Sequence, residues 1–263
     1  MNGKKILTIV LVILGGFVFF NVLMGVSMYL VFLNVDVNPA LPWFPIPALV
    51  LIVVATWLLN RRWDIRLTVP TNVPWVRVYA FSFLAMLAAK CIKGLEGAFH
   101  GVTLEAPAAP DGVSTVFGLV FLLLVPFFAA VLAEISYRGV MQTRIEKLLP
   151  LWPMLLILAA VNTLSHVGFT DISTQWIYLM AMNIGFGYTA WMARSIVPAI
   201  VMHVVMNVLF PGSQYLWGPF ALGELAAPGI ATIAVLAVGL ATAAVWLARG
   251  VSVPRQGGST PAQ

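Results

Sequence analysis

The sequence predicts an all-α, polytopic transmembrane helical bundle of about eight helices. Two observations predict this class. Hydrophobic residues make up 61% of the 263 positions and charged residues only 9%, whereas about a quarter of a soluble domain is charged. Apolar stretches long enough to cross a hydrocarbon core of about 30 Å also recur along the whole chain. The lipid bilayer is therefore the expected solvent for most of the protein.

Eight apolar spans are separated by loops that contain proline, glycine and charged residues. Their predicted bounds are 6–33, 41–60, 75–96, 114–144, 151–168, 173–193, 196–211 and 227–248. The first span follows Lys4 and Lys5, but it is too long for a signal peptide, so we expect it to be retained. Residues 1–250 are predicted to form a single transmembrane domain. Residues 251–263, rich in Gly, Ser, Pro and Gln, are predicted to be a disordered tail.

The loop charges predict an orientation. With the amino terminus inside, the inner segments hold most of the Lys and Arg residues, and the outer loops hold mainly acids. Lys90 and Lys93, near the outer end of the third span, are exceptions that snorkelling would explain. An even number of spans then places both termini in the cytoplasm, and the short loops suit a bacterial inner membrane. The net charge of +5 fits this orientation and does not indicate nucleic-acid binding.

Three patterns of polar side chains interrupt the apolar spans, where each ionisable group needs a partner or a function. Glu134 and Arg138 are four residues apart and can pair on one helical face. His166 lies on the fifth span, and His203 and Asn207 share a face of the seventh. A buried carboxylate beside a neutral imidazole can act as general base on water, while His and Asn can stabilise an oxyanion. This cluster predicts peptide-bond hydrolysis without a covalent enzyme intermediate.

Structural and metal-binding interpretations of the same residues compete with this one. Glu134 and Arg138 on the fourth span also fit a buried ion pair that stabilises the bundle. His203 and Asn207 on the seventh span fit interhelical hydrogen bonds. Glu134, His166 and His203 would suffice as three zinc ligands. However, the sequence has no His-Glu-x-x-His, and its single cysteine, Cys91, lies in another apolar segment. A metal-free site without a cofactor is therefore favoured.

In this order, the three patterns resemble the CPBP family of membrane proteases, which includes CAAX prenyl endopeptidases and bacteriocin-processing or self-immunity proteins. Its motifs are Glu-Glu-x-x-x-Arg, commonly followed by Gly, then Phe-x-x-x-His, then His-x-x-x-Asn or Asp. The matching residues are Glu134, Arg138, Gly139, His166, His203 and Asn207. The resemblance covers about 114–210. It implies an intramembrane glutamic endopeptidase that acts on a membrane-anchored or lipidated protein or peptide.

Two positions depart from the family pattern. Asn162 stands where the family usually has Phe, and Ala133 stands at the first Glu, to which the resemblance assigns the general base. By the same analogy, Glu134 would mainly hold Arg138 and the helix in place. The resemblance further implies that His166 positions water. It assigns the oxyanion site to the two polar residues of the third motif.

Three explanations of Ala133 remain open. The substitution was engineered to trap an inactive enzyme, the protein is a natural relative without protease activity, or Glu134 serves as the base. The third is disfavoured because the adjacent residue of an α-helix points about 100° away. The alternative function is therefore that of a non-catalytic relative. Such a protein would bind a peptide as a regulator or act in bacteriocin self-immunity.

Overall fold

The computed structural model describes residues 2–104, 108–167, 171–217, 220–221 and 227–251. Within these ranges the chain forms eight helices, which confirms the predicted all-α membrane bundle. They are α1 (Gly3–Val37), α2 (Pro45–Arg62), α3 (Trp75–His100), α4 (Thr115–Ile145), α5 (Leu151–Leu164), α6 (Trp176–Ala193), α7 (Val197–Trp217) and α8 (Ala227–Arg249). A short antiparallel pair joins Thr103–Leu104 to Phe220–Ala221. The predicted tail lies, from residue 252, outside the described residues.

The helices correspond one to one with the predicted spans, but several ends differ. α3 continues past the predicted residue 96 to His100 and ends at Gly101, whose φ of 66° is the left-handed conformation that terminates helices. α5 ends at Leu164, four residues early. There Ser165 Oγ donates to the main-chain carbonyl of Asn162, and such a local bond competes with continuation of the helix.

Five of the helices are long and apolar enough to cross a membrane, namely α1, α2, α3, α4 and α8. Large apolar side chains remain exposed along them. On α1 they include Leu7, Leu11, Leu14 and Val18, which recur every three or four residues and so line one helical face. Because water would not tolerate such faces, they are the lipid-facing surface of an integral membrane protein.

The connection between α1 and α2 is held by one buried side chain. Asn34 Nδ2 donates to the carbonyls of Asn38 and Leu41, and its Oδ1 accepts from the main-chain N–H groups of Trp43 and Phe44. The Asn34 amide therefore makes two donor and two acceptor hydrogen bonds to the main chain of this connection. α2 can therefore start immediately at Pro45, a residue suited to the first turn.

α4 and α6 run in the same direction and contact each other through polar groups. Arg138 Nη2 donates to the carbonyl of Asn183, and Gln142 Nε2 donates to the carbonyl of Gly187, each at 2.9 Å. The donor and acceptor advance by four residues together, which is the signature of parallel neighbouring helices. α5 connects α4 to α6 in sequence, runs in the opposite direction and packs on α6, as the predicted alternation requires.

The two lysines in the carboxyl-terminal half of α3 contact an aromatic side chain of α6. Lys90 Nζ donates to Tyr178 Oη on α6 at 2.9 Å. The ammonium groups of Lys90 and Lys93 also lie 5.1 and 5.3 Å from the centre of that aromatic ring. Cation–π attraction and the hydroxyl acceptor explain why they turn inward. Both lysines therefore have a partner on α6, and the snorkelling interpretation stays a prediction.

Candidate active site

The helix that carries the first motif changes its geometry at that motif. Residues Glu134–Gln142 of α4 form a π-helical segment, all of it buried. Segments with i→i+5 hydrogen bonds are rare and are found frequently at functional sites. The sequence argument against Glu134 assumed the angular spacing of a regular α-helix. Ala133 and Glu134 themselves keep right-handed α-helical dihedrals, so that spacing still separates their two side chains, and the contacts decide which of the two faces the imidazole.

Glu134 lies at the centre of the site, between α4 and α7. Its Oε1 is 2.8 Å from His203 Nδ1, and its Oε2 is 3.5 Å from Arg138 Nε. The Glu134 side chain is fully buried, whereas that of His203 is 17% exposed. The structure therefore brings together the carboxylate, the guanidinium and one imidazole. Of the carboxylate and the imidazole, only the imidazole reaches the surface of the site.

Arg138 is oriented by α6. Its Nη2 donates to both the carbonyl and the Oδ1 of Asn183, at 2.9 and 3.0 Å, and Asn183 Nδ2 in turn donates to the carbonyl of Leu179. A Cβ at Gly187 would lie 2.6 Å from Leu155 Cδ2 and 3.3 Å from Gln142 Oε1. A side chain at position 187 would therefore have to displace Leu155 where α6 approaches α4 and α5.

Both histidines have defined ring orientations. The His203 ring stacks on Phe186, with 4.4 Å between ring centres and 17° between planes. His166 follows the end of α5, and its Nδ1 donates to the Asn162 carbonyl at 2.9 Å. The two imidazoles are close enough to interact electrostatically. His166 therefore borders the acid–imidazole pair without contacting the acid itself in the described geometry.

Asn207 and Ala133 lie in less polar surroundings. Asn207 Nδ2 donates to the carbonyl of Pro126 on α4 at 3.3 Å, which is the interhelical hydrogen bond considered as an alternative for this residue. Ala133 is 5% exposed and belongs to a large apolar cluster with Phe128 and Leu132. The position of the missing first Glu is thus packed among hydrocarbon side chains.

Buried polar atoms without a hydrogen-bond partner concentrate at this site. In the described part of the chain they occur on residues 134–142 of the π-helical segment and on the neighbouring Asn162 and Thr163. They include Glu134 Oε2, Arg138 Nε and Gln142 Oε1. Because buried polar groups are normally satisfied by protein or by ordered water, this concentration is typical of a hydrated functional site.

The proposed zinc ligands do not converge. Among the residues that the structure describes, no group of three His, Cys, Asp or Glu side chains is arranged to hold a metal ion. Glu134 and His203 are in contact, but His166 Nδ1 donates to the carbonyl of Asn162.

The sequence analysis did not identify the residues on α6 that complete the site. Asn183, Gly187 and Gln142 belong to none of the three polar patterns that the sequence shows. Their spacing was the available signal: Arg138 and Gln142 are four residues apart, as are Asn183 and Gly187. Matching four-residue intervals on two polar-interrupted helices indicate a paired face, but they do not identify the partner helix.

Comparison with known proteins gave one family. Residues 115–209 match the family model described as type II CAAX prenyl endopeptidase Rce1-like. Comparisons with curated proteins and with solved structures gave no match. The matched segment contains all six candidate residues, at positions 133, 134, 138, 166, 203 and 207. The resemblance predicted from the motifs is therefore confirmed over residues 115–209, the segment that builds the site and is similar to the Rce1-like CAAX endopeptidases, a family of membrane proteases.

Proposed function

We propose that this protein is an intramembrane glutamic endopeptidase that hydrolyses a peptide bond in a membrane-anchored or lipidated protein or peptide. The observation that carries the proposal is the 2.8 Å contact between Glu134 Oε1 and His203 Nδ1. A buried carboxylate that orients a partly exposed imidazole is the arrangement by which many hydrolases prepare a general base. We therefore assign water activation to this pair.

The route of proton transfer follows from the different exposures of the Glu134 and His203 side chains. Glu134 is fully buried, so water approaches His203. A carboxylate accepts the N–H of Nδ1, and this contact fixes the tautomer in which Nε2 carries the lone pair. Nε2 takes a proton from water as the oxygen attacks the substrate carbonyl, and the resulting imidazolium is stabilised by Glu134. The same proton then passes to the leaving amine, so the enzyme returns to its starting state.

The remaining motif residues receive supporting roles. His166 donates from Nδ1 to a main-chain carbonyl, so its Nε2 is an acceptor that can hold the attacking water. Asn207 uses one amide N–H for Pro126, and we assign the second N–H to the oxyanion. Arg138 and Asn183 are positioning residues. They hold the Glu134 carboxylate against His203 and do not touch the substrate in this scheme.

Glu134 thereby takes the role that the family resemblance gave to the residue at position 133. Two observations support this change: the π-helical segment begins at Glu134, and Glu134 rather than Ala133 contacts an imidazole. The scheme uses no cofactor, and activity should persist in EDTA. We also propose that the protein lies in a bacterial inner membrane with both termini cytoplasmic, and that it has no nucleic-acid partner.

The proposal is tested by cleavage of a farnesylated peptide that ends in a CAAX sequence, with the full chain reconstituted in liposomes. The variants are Glu134→Gln, His203→Ala and Ala133→Glu, with Glu96→Gln as the control, because Glu96 is a buried carboxylate outside the site. We expect cleavage by the unmodified protein and by the control. Loss of the base should lower the rate by about 10²- to 10⁴-fold in the first two variants. Equal cleavage by all variants would refute the assignment.

A second candidate function is peptide binding without hydrolysis, as in a regulator or a bacteriocin self-immunity protein. The observation that favours it is Ala133, an apolar, buried residue at the position of the family's first Glu. It predicts that the unmodified protein retains the peptide in a pull-down without cleaving it, and that Ala133→Glu gains cleavage. Cleavage by the unmodified protein would exclude this function.

A further inference from the structure

A groove separate from the candidate active site lies between α1, α2 and the end of α4. Its volume is about 450 Å³, and its lining residues on α1 are Thr8, Leu11, Val12, Gly15, Gly16 and Phe19. Leu59 of α2, Trp63 immediately after it, and Val140 and Arg144 of α4 complete it. A Cβ at Gly15 would have no neighbour within 4 Å, whereas one at Gly16 would meet Met141. Gly15 therefore leaves open space in the wall of the groove, whereas Gly16 allows Met141 of α4 to pack closely against α1.

The groove has the length and lining of a site for one hydrocarbon chain. From Thr8 to Phe19, α1 rises by about 16 Å along the wall. Leu11, Leu59 and Val140 line it with hydrocarbon. An occupant of this shape loses little by leaving the bilayer, because both surroundings are apolar. The affinity must therefore come from its polar end.

The end of the groove that would receive this polar group is cationic. The Arg144 guanidinium lies 4.5 Å from the Trp63 ring centre, and its Nη1 donates to the carbonyl of Val140 at 2.6 Å and to Thr143 Oγ1 at 3.3 Å. In the described geometry both bonds use Nη1. Nη2 and Nε make none of the described hydrogen bonds, and a guanidinium edge of this kind suits a phosphate.

The surrounding charges reinforce this end of the groove. Four exposed basic residues lie at the adjoining ends of α1 and α2, namely Lys4, Lys5, Arg61 and Arg62. Two acids are also near. Glu146 forms an ion pair with Arg66, and Asp64 Oδ1 accepts from the Arg66 main-chain N–H. The cations therefore outnumber the acids, and the local field attracts an anion.

We propose that this groove binds an anionic phospholipid, with its phosphate on Arg144 and one acyl chain along Gly15. The argument is charge complementarity combined with an apolar channel, the pattern by which basic pockets between transmembrane helices hold lipid headgroups. This site is independent of the proposed hydrolysis, since it shares no residue with the acid–imidazole pair.

The test measures thermal unfolding of the full chain in detergent with dioleoylphosphatidylglycerol or dioleoylphosphatidylcholine added. The two lipids have identical chains, so the difference in Tm between them reports the headgroup. We expect phosphatidylglycerol to raise Tm by about 3 °C or more above phosphatidylcholine. Glycerol phosphate without chains should give no shift, which separates a lipid site from a simple anion site.

Two variants locate the effect, each with a matched control. Arg144→Gln should remove the headgroup difference, while Arg249→Gln, the same charge change at the end of α8, should retain it. Gly15→Leu should fill the groove and also remove the difference. Gly25→Leu is its control, because Gly25 is on the same helix and is likewise without neighbours within 4 Å.

Three results would overturn the proposal. One is an equal shift with both lipids, and another is a headgroup difference that survives both Arg144→Gln and Gly15→Leu. The third is protection by a farnesylated peptide but not by phosphatidylglycerol, which would assign the groove to a substrate's lipid. If Arg144→Gln does not fold, the comparison of Gly15→Leu with Gly25→Leu still decides the matter.

Discussion

Two buried carboxylates, Glu96 and Glu134, are satisfied in different ways. Glu96 on α3 accepts from the main-chain N–H groups of Ile177 and Tyr178, one on each oxygen, at 2.8 and 2.7 Å. These are among the first N–H groups of α6, which the helix itself leaves without acceptors. The Glu96 side chain therefore caps the start of a neighbouring helix, and its negative charge matches the positive end of the helix dipole.

Glu134 has a less complete environment. One oxygen contacts His203, while the other faces Arg138 at 3.5 Å without a hydrogen bond. A carboxylate whose bonds are all made to main chain has a structural role, since it cannot change partners without unfolding a helix end. A carboxylate with an incomplete shell, beside a partly exposed imidazole, can take part in proton transfer. The difference between the two sites lies in their bonding and not in burial, because both are buried.

The largest expected effect is the difference in cleavage rate between Glu134→Gln and Glu96→Gln. The first should lower the cleavage rate by about 10²- to 10⁴-fold, because the amide cannot stabilise an imidazolium, and it should also lower Tm, because the buried Arg138 loses its carboxylate partner. The second should retain cleavage but destabilise the protein. The readouts are the single-turnover rate and thermal unfolding of the same preparations. Loss of activity in both variants would show that the comparison is wrong.

A smaller effect is expected for Asn183→Ala. The variant removes the Asn183 Oδ1 acceptor of Arg138 but leaves the main-chain acceptor, so Glu134 should be displaced only partly. We expect kcat to fall by about 10-fold with little change in KM, since about 1.4 kcal/mol of transition-state stabilisation is lost.

The control for this variant is Asn21→Ala, because the hydrogen bond that Asn21 Nδ2 makes in the described part of the chain is to the carbonyl of Phe17 within α1. A change in KM with kcat preserved would instead place Asn183 in substrate binding. A change confined to Tm would give it a structural role only.

The third prediction concerns how much the Glu96 cap contributes to the stability of the protein. Glu96→Gln keeps one acceptor oxygen and replaces the other by an amide N–H donor, which faces another donor. The free energy of unfolding should fall by about 1–3 kcal/mol, the typical cost of leaving a buried group unsatisfied. Hydrogen exchange of the Ile177 and Tyr178 amides should accelerate more than exchange in α4. Equal acceleration in both helices would mean that the effect is not local to the cap.

The smallest effect is expected for Asp171→Asn, an exposed carboxylate that precedes α6. Hydrogen bonds from the Ser173 hydroxyl and main-chain N–H lower the pKa of Asp171. A lowered pKa in the folded state favours folding above the unfolded-state pKa of about 3.9 and loses that contribution as the pH falls through the folded-state value. Tm of the variant should therefore be slightly below that of the unmodified protein at pH 7 and equal to it at pH 2.5. A difference that grows on acidification would contradict this sign.

The number of helices and most of the motif residues could be predicted because their signals are local. A span of about 20 apolar residues is visible in any window of the chain, and Glu134, Arg138 and His203 stand out because ionisable groups are rare in such windows. The ends of α3 and α5 were predicted less well. They depend on a left-handed glycine and on side chains that compete for one carbonyl, which hydropathy does not report.

The sequence by itself determined that the protein is a helical membrane bundle with a CAAX-protease-like segment, because hydropathy and motif spacing are properties of consecutive residues. Only the tertiary structure decided that Asn183 orients Arg138, that Glu96 caps α6, and that the acid in contact with His203 is Glu134. Each of these depends on the rotation and axial position of one helix against another. Those two quantities are set by packing across the whole bundle, so residues distant in sequence determine them together.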